Sequence, residues 1–364
     1  MAYTIPPRSG ILEITPYVPG ESNVAKGGRV IKLSSNEGPF GPSPKALEAM
    51  TLAANGMHRY PDGNATALHQ AIAERFGLDA ERIVCGAGSD EIISLLCFAY
   101  AGPGDEVLYS EHGFLMYPIS AHAAGATPVK APEMDLTTDV DALLAHVTDK
   151  TKIVFIANPN NPTGTYISGA EMARLRQGLP EHVLLVIDAA YAEFVDRADY
   201  NPGSDLVDAG QNTVMTRTFS KLFALGGMRV GWGYCPSEVA DVLNRVRGPF
   251  NVSSAGQAAA IASLEDLDFQ ATSLSHTTTW RAKTETALHE MGLKTTTSVA
   301  NFVLVEFKDA AQAEACDSFL RDHNIIVRRM ASYGLSSSLR ITIGTGDDME
   351  TCLNTMRLFL EQSL

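Results

Sequence analysis

The sequence predicts an α/β protein: a mostly parallel sheet with helices on both faces, plus a smaller α+β C-terminal domain. Between about residues 30 and 250, short β-rich apolar runs alternate with helical patterns, the order expected of parallel strands joined by crossover helices. Beyond about residue 252 the pattern shifts to longer, polar-faced helices over 255–292, with a break, and then to a second set of strands. The chain, 364 residues long, also exceeds the size at which one hydrophobic core stops growing, so a large unit, a small one and a cleft between them are expected. The divisions read as an N-terminal arm over 1–29 packing with the small domain, a large domain over 30–252 and a small domain over 253–364.

The elements follow in order. The arm is proline-punctuated and irregular. RVIKLSSNEGPFGPSPKALEAM then reads as a short strand, a Gly/Pro loop and a helix opening near Ser43 and Pro44, because serine caps a helix and proline suits its first turn. Seven apolar runs follow: ERIVCGAG, EVLYSE, TPVKAPE, TKIVFIANP, HVLLVIDAA, NTVMTRT and RVGWGYC. In the C-terminal part NFVLVEF and LRITIG are the strands, with helices between and after them.

Charge and composition exclude several function classes. The formal net charge of −14 disfavours a sequence-independent grip on nucleic acid or anionic lipid. The first twenty residues hold prolines and a glutamate where a signal peptide needs an unbroken apolar run, and no later run reaches transmembrane length. A soluble, cytoplasmic protein is expected. Cys85, Cys97, Cys235, Cys316 and Cys352 are far apart, odd in number and set in apolar or helical contexts, as reduced core residues are. The histidines show no metal-ligand spacing, so no metal site is expected.

Polar residues at the ends of three apolar runs are the candidates for chemistry. TKIVFIANPNNPTG ends at Asn158 to Asn161, HVLLVIDAAY at Asp188 and Tyr191, and NTVMTRTFSK at Ser220 and Lys221. Ligands of open α/β sheets bind beyond the carboxyl ends of the strands, so the three ends converge on one crevice. Asp188, following five apolar residues, is either a cap for the next segment or a carboxylate paired with a cation such as a protonated pyridine. CGAGSDEIISLLCF places a glycine turn before an apolar helix; it is either a plain strand-to-helix turn or an anion site built from free N–H groups around Ser89 and Asp90. Lys221 and Arg229 are either snorkelling cations at a helix entrance or an imine-forming lysine and a phosphate clamp, with Thr218 and Ser220 as further donors.

Taken in order, PYVPG, LSSNEGPFGPS, RYPDG, GAGSDEII, NPNNPTG, DAAYAEF, TRTFSKLFALGGMRVGW, PFNVSS and LRITIGT resemble the histidinol-phosphate aminotransferase family, fold-type-I enzymes that use pyridoxal 5'-phosphate. The resemblance runs over nearly the whole chain. It implies that Lys221 bonds to the cofactor aldehyde, that Asp188 pairs with the pyridine nitrogen and that Asn161 and Tyr191 hydrogen-bond the phenolic oxygen. It further implies that Phe114 stacks on the ring, that the Ser89 and Asp90 amides, Thr218, Ser220 and Arg229 hold the phosphate, and that Tyr60 reaches it from the other subunit of a homodimer. For substrate it assigns Arg340 to the carboxylate of glutamate or 2-oxoglutarate, Arg328 to the phosphate of histidinol phosphate, and Tyr17 and Asn36 to the closing N-terminal side. Register leaves Arg328 and Arg329 interchangeable, and Tyr17 has packing as its other reading. Gly38, Ala87, Ala189 and Gly248 depart from residues frequent in the family, and none removes a catalytic side chain.

The implied reaction is transamination of L-histidinol phosphate with 2-oxoglutarate in histidine biosynthesis. An aromatic-amino-acid aminotransferase is the near alternative, and a lyase resembling threonine-phosphate decarboxylase a more distant one. A cofactor-sensing regulator would carry a DNA-binding module, and no basic winged-helix region precedes the matched segments.

Overall fold

The computed structural model describes residues 4–22, 28–210 and 212–362. Strand β1 (Ile31–Lys32) leads into helices α1 (Pro44–Ala54) and α2 (Thr66–Phe76). Ser43 caps α1 by accepting from the Ala46 amide, and Pro44 occupies the first turn, where its missing N–H costs nothing.

Strands β2 (Ile83–Gly86), β3 (Glu106–Ser110) and β4 (Thr127–Ala131) begin the large sheet, and a small hairpin of β5 (Glu133–Met134) and β6 (Thr137–Thr138) follows. Then come β7 (Thr151–Ala157), β8 (Leu184–Asp188), β9 (Thr213–Thr218) and β10 (Gly231–Tyr234). The seven strands lie in the order β2-β10-β9-β8-β7-β3-β4. β10 runs antiparallel to both neighbours, and the pairs from β9 through β4 are parallel. The mixed hand of this one strand is the departure from a uniformly parallel sheet. An apolar run buried on both faces carries no mark of its direction.

Both faces of the sheet are covered, which explains why its strands read as nearly continuous apolar runs. Ile153 and Phe155 of β7 and Val186 of β8 point to one face, where they pack with α3 (Ser89–Tyr100) and α4 (Met116–Ala124). Val154, Ile156, Leu185 and Ile187, at the alternate positions, meet α5 (Val140–Ala145) and α6 (Gly169–Gly178) on the other. Two further helices, α7 (Ser204–Ala209) and α8 (Ser237–Val246), lie before and after the last two strands.

The C-terminal part starts with α9 (Ser254–Glu265) and α10 (Leu267–Glu290), the broken helical stretch expected over 255–292. Strands β11 (Lys294–Thr295) and β12 (Phe302–Glu306) precede α11 (Ala310–Asp322), and β13 (Ile325–Ile326), β14 (Arg328–Met330) and β15 (Leu335–Thr342) precede α12 (Gly346–Gln362). The second sheet is antiparallel, in the order β11-β12-β15-β14. β1 pairs in parallel with β13, and Leu33 enters the core beneath this sheet.

Two packing details show how the parts meet. Ala259, Ala260 and Leu264 of α9 are buried with Ala46 of α1, Leu68 and Ile72 of α2, and Ala300 and Phe302 of the C-terminal part, so α9 packs on α1 and α2 where the two parts meet; its small residues let the helices approach closely. The arm bridges both parts rather than joining only the small one. Arg8 donates to the Ala123 carbonyl in α4, whereas the Val18 carbonyl accepts from Arg328 at 2.6 Å.

The five cysteines are buried and unpaired. Among the described residues no helix is long and apolar enough to cross a membrane, and no metal-binding group of side chains occurs.

Candidate active site

β7, β8 and β9 are parallel neighbours, and Ala157, Asp188 and Thr216 stand abreast in their register. Their carboxyl ends therefore finish side by side, and a cavity of about 300 Å³ opens beyond them. Lys221, Asp188, Tyr191, Asn161, Phe114, Ser89, Asp90, Thr218, Ser220, Arg229, Arg340, Arg328, Tyr17 and Asn36 all line it. Tyr60 does not: it is 82% exposed and stacks on Phe250, ring centroids 4.5 Å apart.

Asp188 ends β8 in nearly dry surroundings. It accepts from the Tyr117 hydroxyl at 2.9 Å and from Thr216 at 3.4 Å. Burial pushes its carboxyl up to about 6, and the Tyr117 hydrogen bond works in the opposite direction. Lys221 is also enclosed; burial, and then the charge of Arg340, pull its ammonium down to about 8. Among the described residues its ammonium makes one hydrogen bond, a long one to the Ser35 carbonyl at 3.4 Å, and Nζ lies 5.7 Å from the centre of the Tyr191 ring. A half-buried amine with a lowered pKa and a loose tether has the chemistry to react with an aldehyde.

The opposite end of the cavity is built from backbone and hydroxyl donors. Gly88, with φ of +92°, turns the chain into the first turn of α3, where Ser89 and Asp90 present the helix N-terminus. A Cβ at Gly88 would come within 2.4 Å of Arg229 Nη2, and one at Gly231 within 2.2 Å of the Ser89 nitrogen. Glycine at both positions is thus a condition of the close approach. Arg229 reaches over the turn, donating to the Ala87 carbonyl at 3.3 Å and pairing with Asp90 at 3.2 Å. The Thr218 hydroxyl donates to Ser220 Oγ at 3.0 Å and accepts from the Ser220 amide at 3.1 Å. Helix N-terminus, hydroxyls and guanidinium together offer the donors an anion requires.

The third wall carries two arginines. Arg328 and Arg340 are direct partners across β14 and β15. Arg340 is buried, donates to Asn161 Oδ1 and to the Ser34 carbonyl at 3.0 Å, and leaves Nε without a partner. Arg329, the other candidate from sequence, turns away to pair with Glu314 at 2.9 Å. Strand alternation decides between the two.

Of the asparagine run only Asn161 faces the cavity. Asn158 and Asn160 are spent inside the loop, Asn158 on the Ile167 backbone and Asn160 on Thr163. Asn36, placed by sequence near the substrate, has φ of +55°. Its amide donates to the Tyr191 hydroxyl at 2.8 Å while its carbonyl oxygen accepts from Thr342. Tyr117 and Tyr333 are contributors that sequence reasoning missed. Tyr333 lines the wall beside Arg340, and Tyr117 lies beneath Asp188. No local sequence signal separates either from structural aromatics.

The open α/β sheet, with a half-buried lysine and a buried carboxylate beyond adjacent strand ends, has the architecture of a fold-type-I enzyme. The chain belongs to the class I and II aminotransferase family, whose model matches residues 28–356. It is 59% identical over 356 residues to a histidinol-phosphate aminotransferase of Paramagnetospirillum magneticum, covering 97% of this chain and 98% of that one. A histidinol-phosphate aminotransferase of Granulibacter bethesdensis is 56% identical, over 98% of this chain and 96% of its own. Among solved structures, the histidinol-phosphate aminotransferase of Sinorhizobium meliloti in complex with pyridoxal 5'-phosphate superposes with a TM-score of 0.91 at 28% identity, covering 100% of this chain and 99% of the other.

Proposed function

We propose that the protein transfers the amino group of L-histidinol phosphate to 2-oxoglutarate, giving imidazole-acetol phosphate and glutamate, with pyridoxal 5'-phosphate as cofactor. The cofactor fits the residues present. An anion cradle at Ser89, Asp90, Thr218, Ser220 and Arg229, an enclosed lysine and a buried carboxylate match a phosphate, an aldehyde and a ring nitrogen that carries a proton. Asn161 and Tyr191 are the candidates for the phenolic oxygen, and Phe114 for the ring face. Bound there, the cofactor supplies an aldehyde and an electron-withdrawing ring that renders the substrate α-proton acidic.

The chain's own groups do the rest. Lys221 Nζ, brought to about 8 by burial and Arg340, removes that proton and later returns one, as a general base and acid. Asp188 holds positive charge at the ring nitrogen. Tyr191 is oriented by the Asn36 amide, which leaves its O–H proton free to be donated into the cavity.

The observation that carries the substrate reading is the pair Arg328 and Arg340, set directly opposite on one sheet face. Like charges so placed repel, and Arg340 still has a buried N–H without a partner. Anionic substrates relieve both conditions: a carboxylate suits Arg340, and the phosphate of the amino donor suits Arg328. Homology to histidinol-phosphate aminotransferases at 56–59% identity supports the same substrate.

Tyr60, exposed and not lining its own chain's cavity, is assigned to the phosphate site of a second copy, so the working unit is a homodimer in the cytoplasm. The reaction is tested by mixing pyridoxal-loaded protein with L-histidinol phosphate, following the cofactor's visible absorbance and identifying the product by mass. Conversion to imidazole-acetol phosphate is expected. Conversion of phenylalanine alone would reassign the enzyme to aromatic amino acids, and a decarboxylated amine would make it a lyase.

A further inference from the structure

Tyr117 is wholly buried in α4 but carries a hydroxyl that packing does not require. Its ring lies parallel to Phe155 of β7, with centroids 4.6 Å apart and planes 4° apart. It meets the Phe114 ring edge-on, at 5.9 Å and 89°. A phenylalanine would make both contacts. The oxygen is used elsewhere: it donates to Asp188 Oδ2 at 2.9 Å, across 71 positions of sequence. Thr216 reaches the other carboxylate oxygen only at 3.4 Å, so the phenol is the shorter of the two side-chain hydrogen bonds that fix this carboxylate.

A donor to a carboxylate in a dry site favours the ionised form over the neutral one. Asp188 serves a ring nitrogen only while ionised, since a neutral carboxyl gives no charge for a pyridinium to pair with. The same tyrosine ring also backs Phe114, the candidate for stacking on the cofactor. We infer that Tyr117 is a positioning residue for cofactor binding, its hydroxyl holding the Asp188 carboxylate ionised and aimed at the ring nitrogen while its ring sets the position of Phe114. This rests on the reading above that the cavity takes pyridoxal phosphate.

The test compares two ligands on the full chain: pyridoxal 5'-phosphate and its analogue with C–H in place of the ring nitrogen. Wild-type protein prefers the natural cofactor. Tyr117→Phe, which removes one oxygen and keeps the ring, is expected to reduce that preference about tenfold or more, the scale of one charge-assisted hydrogen bond. It also moves the acid edge of cofactor binding, followed by absorbance, to higher pH, because Asp188 then takes a proton more readily. Tyr117→His, which restores a donor, recovers part of the preference. Equal weakening of both ligands by Tyr117→Phe, with the acid edge unmoved, would reduce Tyr117 to packing and overturn the inference. Failure of the wild-type chain to bind the natural cofactor at all would instead overturn the reading of the cavity.

Discussion

The two ends of the cavity are built on opposite physical principles. At the inner end Asp188 and Lys221 are enclosed by side chains, and burial moves both away from their ordinary ionisation, Asp188 up to about 6 and Lys221 down to about 8. At the outer end Arg229 and Asp90 keep 47% and 44% of their side-chain surface exposed, and the donors on offer are amides, hydroxyls and a helix N-terminus. Desolvation sets reactivity at the inner end, and an array of donors sets holding at the outer one. The contrast predicts that inner-end substitutions change the chemistry, and that outer-end substitutions change how firmly the cofactor is held.

The largest effect belongs to Lys221. Lys221→Ala removes the proposed base for the α-proton, and single-turnover transamination is expected to fall roughly 10²- to 10⁴-fold, the range for loss of a general acid/base. A small amine added to the solution should restore part of the rate. A variant that kept more than a tenth of wild-type turnover would break the contrast, because an enclosed amine would then have no chemical task.

Asp188 gives the next largest effect, with opposite signs for activity and stability. Its carboxyl has an ordinary value of 3.8 and is pushed to about 6 in the fold. Between these values the folded state binds the proton more readily than the unfolded one, so folding stability falls as pH rises through this window. Below about pH 4 the carboxyl is neutral in both states and burial of charge costs nothing. Above about pH 6 the full cost applies, about 3 kcal/mol for a shift of this size. Asp188→Asn should therefore stabilise the cofactor-free chain by up to that amount at pH 7 and by little at pH 4, while slowing transamination on the order of 10²-fold for want of the charge. Urea unfolding at the two pH values measures the first effect. Equal stability of variant and wild type at pH 7 would mean that the site does not desolvate this carboxylate.

Much of this was legible beforehand for a definite reason. Strands buried on both faces announce themselves as apolar runs, so the polar residues that stop them, Asp188 after Ile187 and Lys221 after Phe219 and Ser220, stand out in one dimension. Ser43 and Pro44 marked a helix start through chemistry that is entirely local. What stayed hidden depends on distant partners. The Tyr117 hydroxyl acquires its meaning only when α4 lies under the end of β8. Choosing between Arg328 and Arg329 required the register of β14 against β15. The packing of α9 was concealed because small apolar residues suit either part, and only its contacts with α1 and α2 show where it lies. Direction was equally invisible for β10.

The outer end supplies the smallest and most discriminating prediction. Arg229 and Asp90 remain about half open within one chain, and Tyr60 is exposed and does not line its own cavity. If a second copy completes the phosphate site with its Tyr60, Tyr60→Ala and Lys221→Ala damage different chains' contributions to one site. In a mixture of the two variants, half the dimers at equal stoichiometry are hybrids by closed two-fold pairing, and one of the two sites in each hybrid has an intact lysine and an intact tyrosine. Mixing and re-association should thus restore up to about a quarter of wild-type activity from two weakened parents, measured with L-histidinol phosphate at limiting cofactor. Activity equal to the plain average of the parents would place Tyr60 outside the partner's site. The outer end would then be a cradle that each chain completes alone, and the exposure of Arg229 and Asp90 would need another explanation.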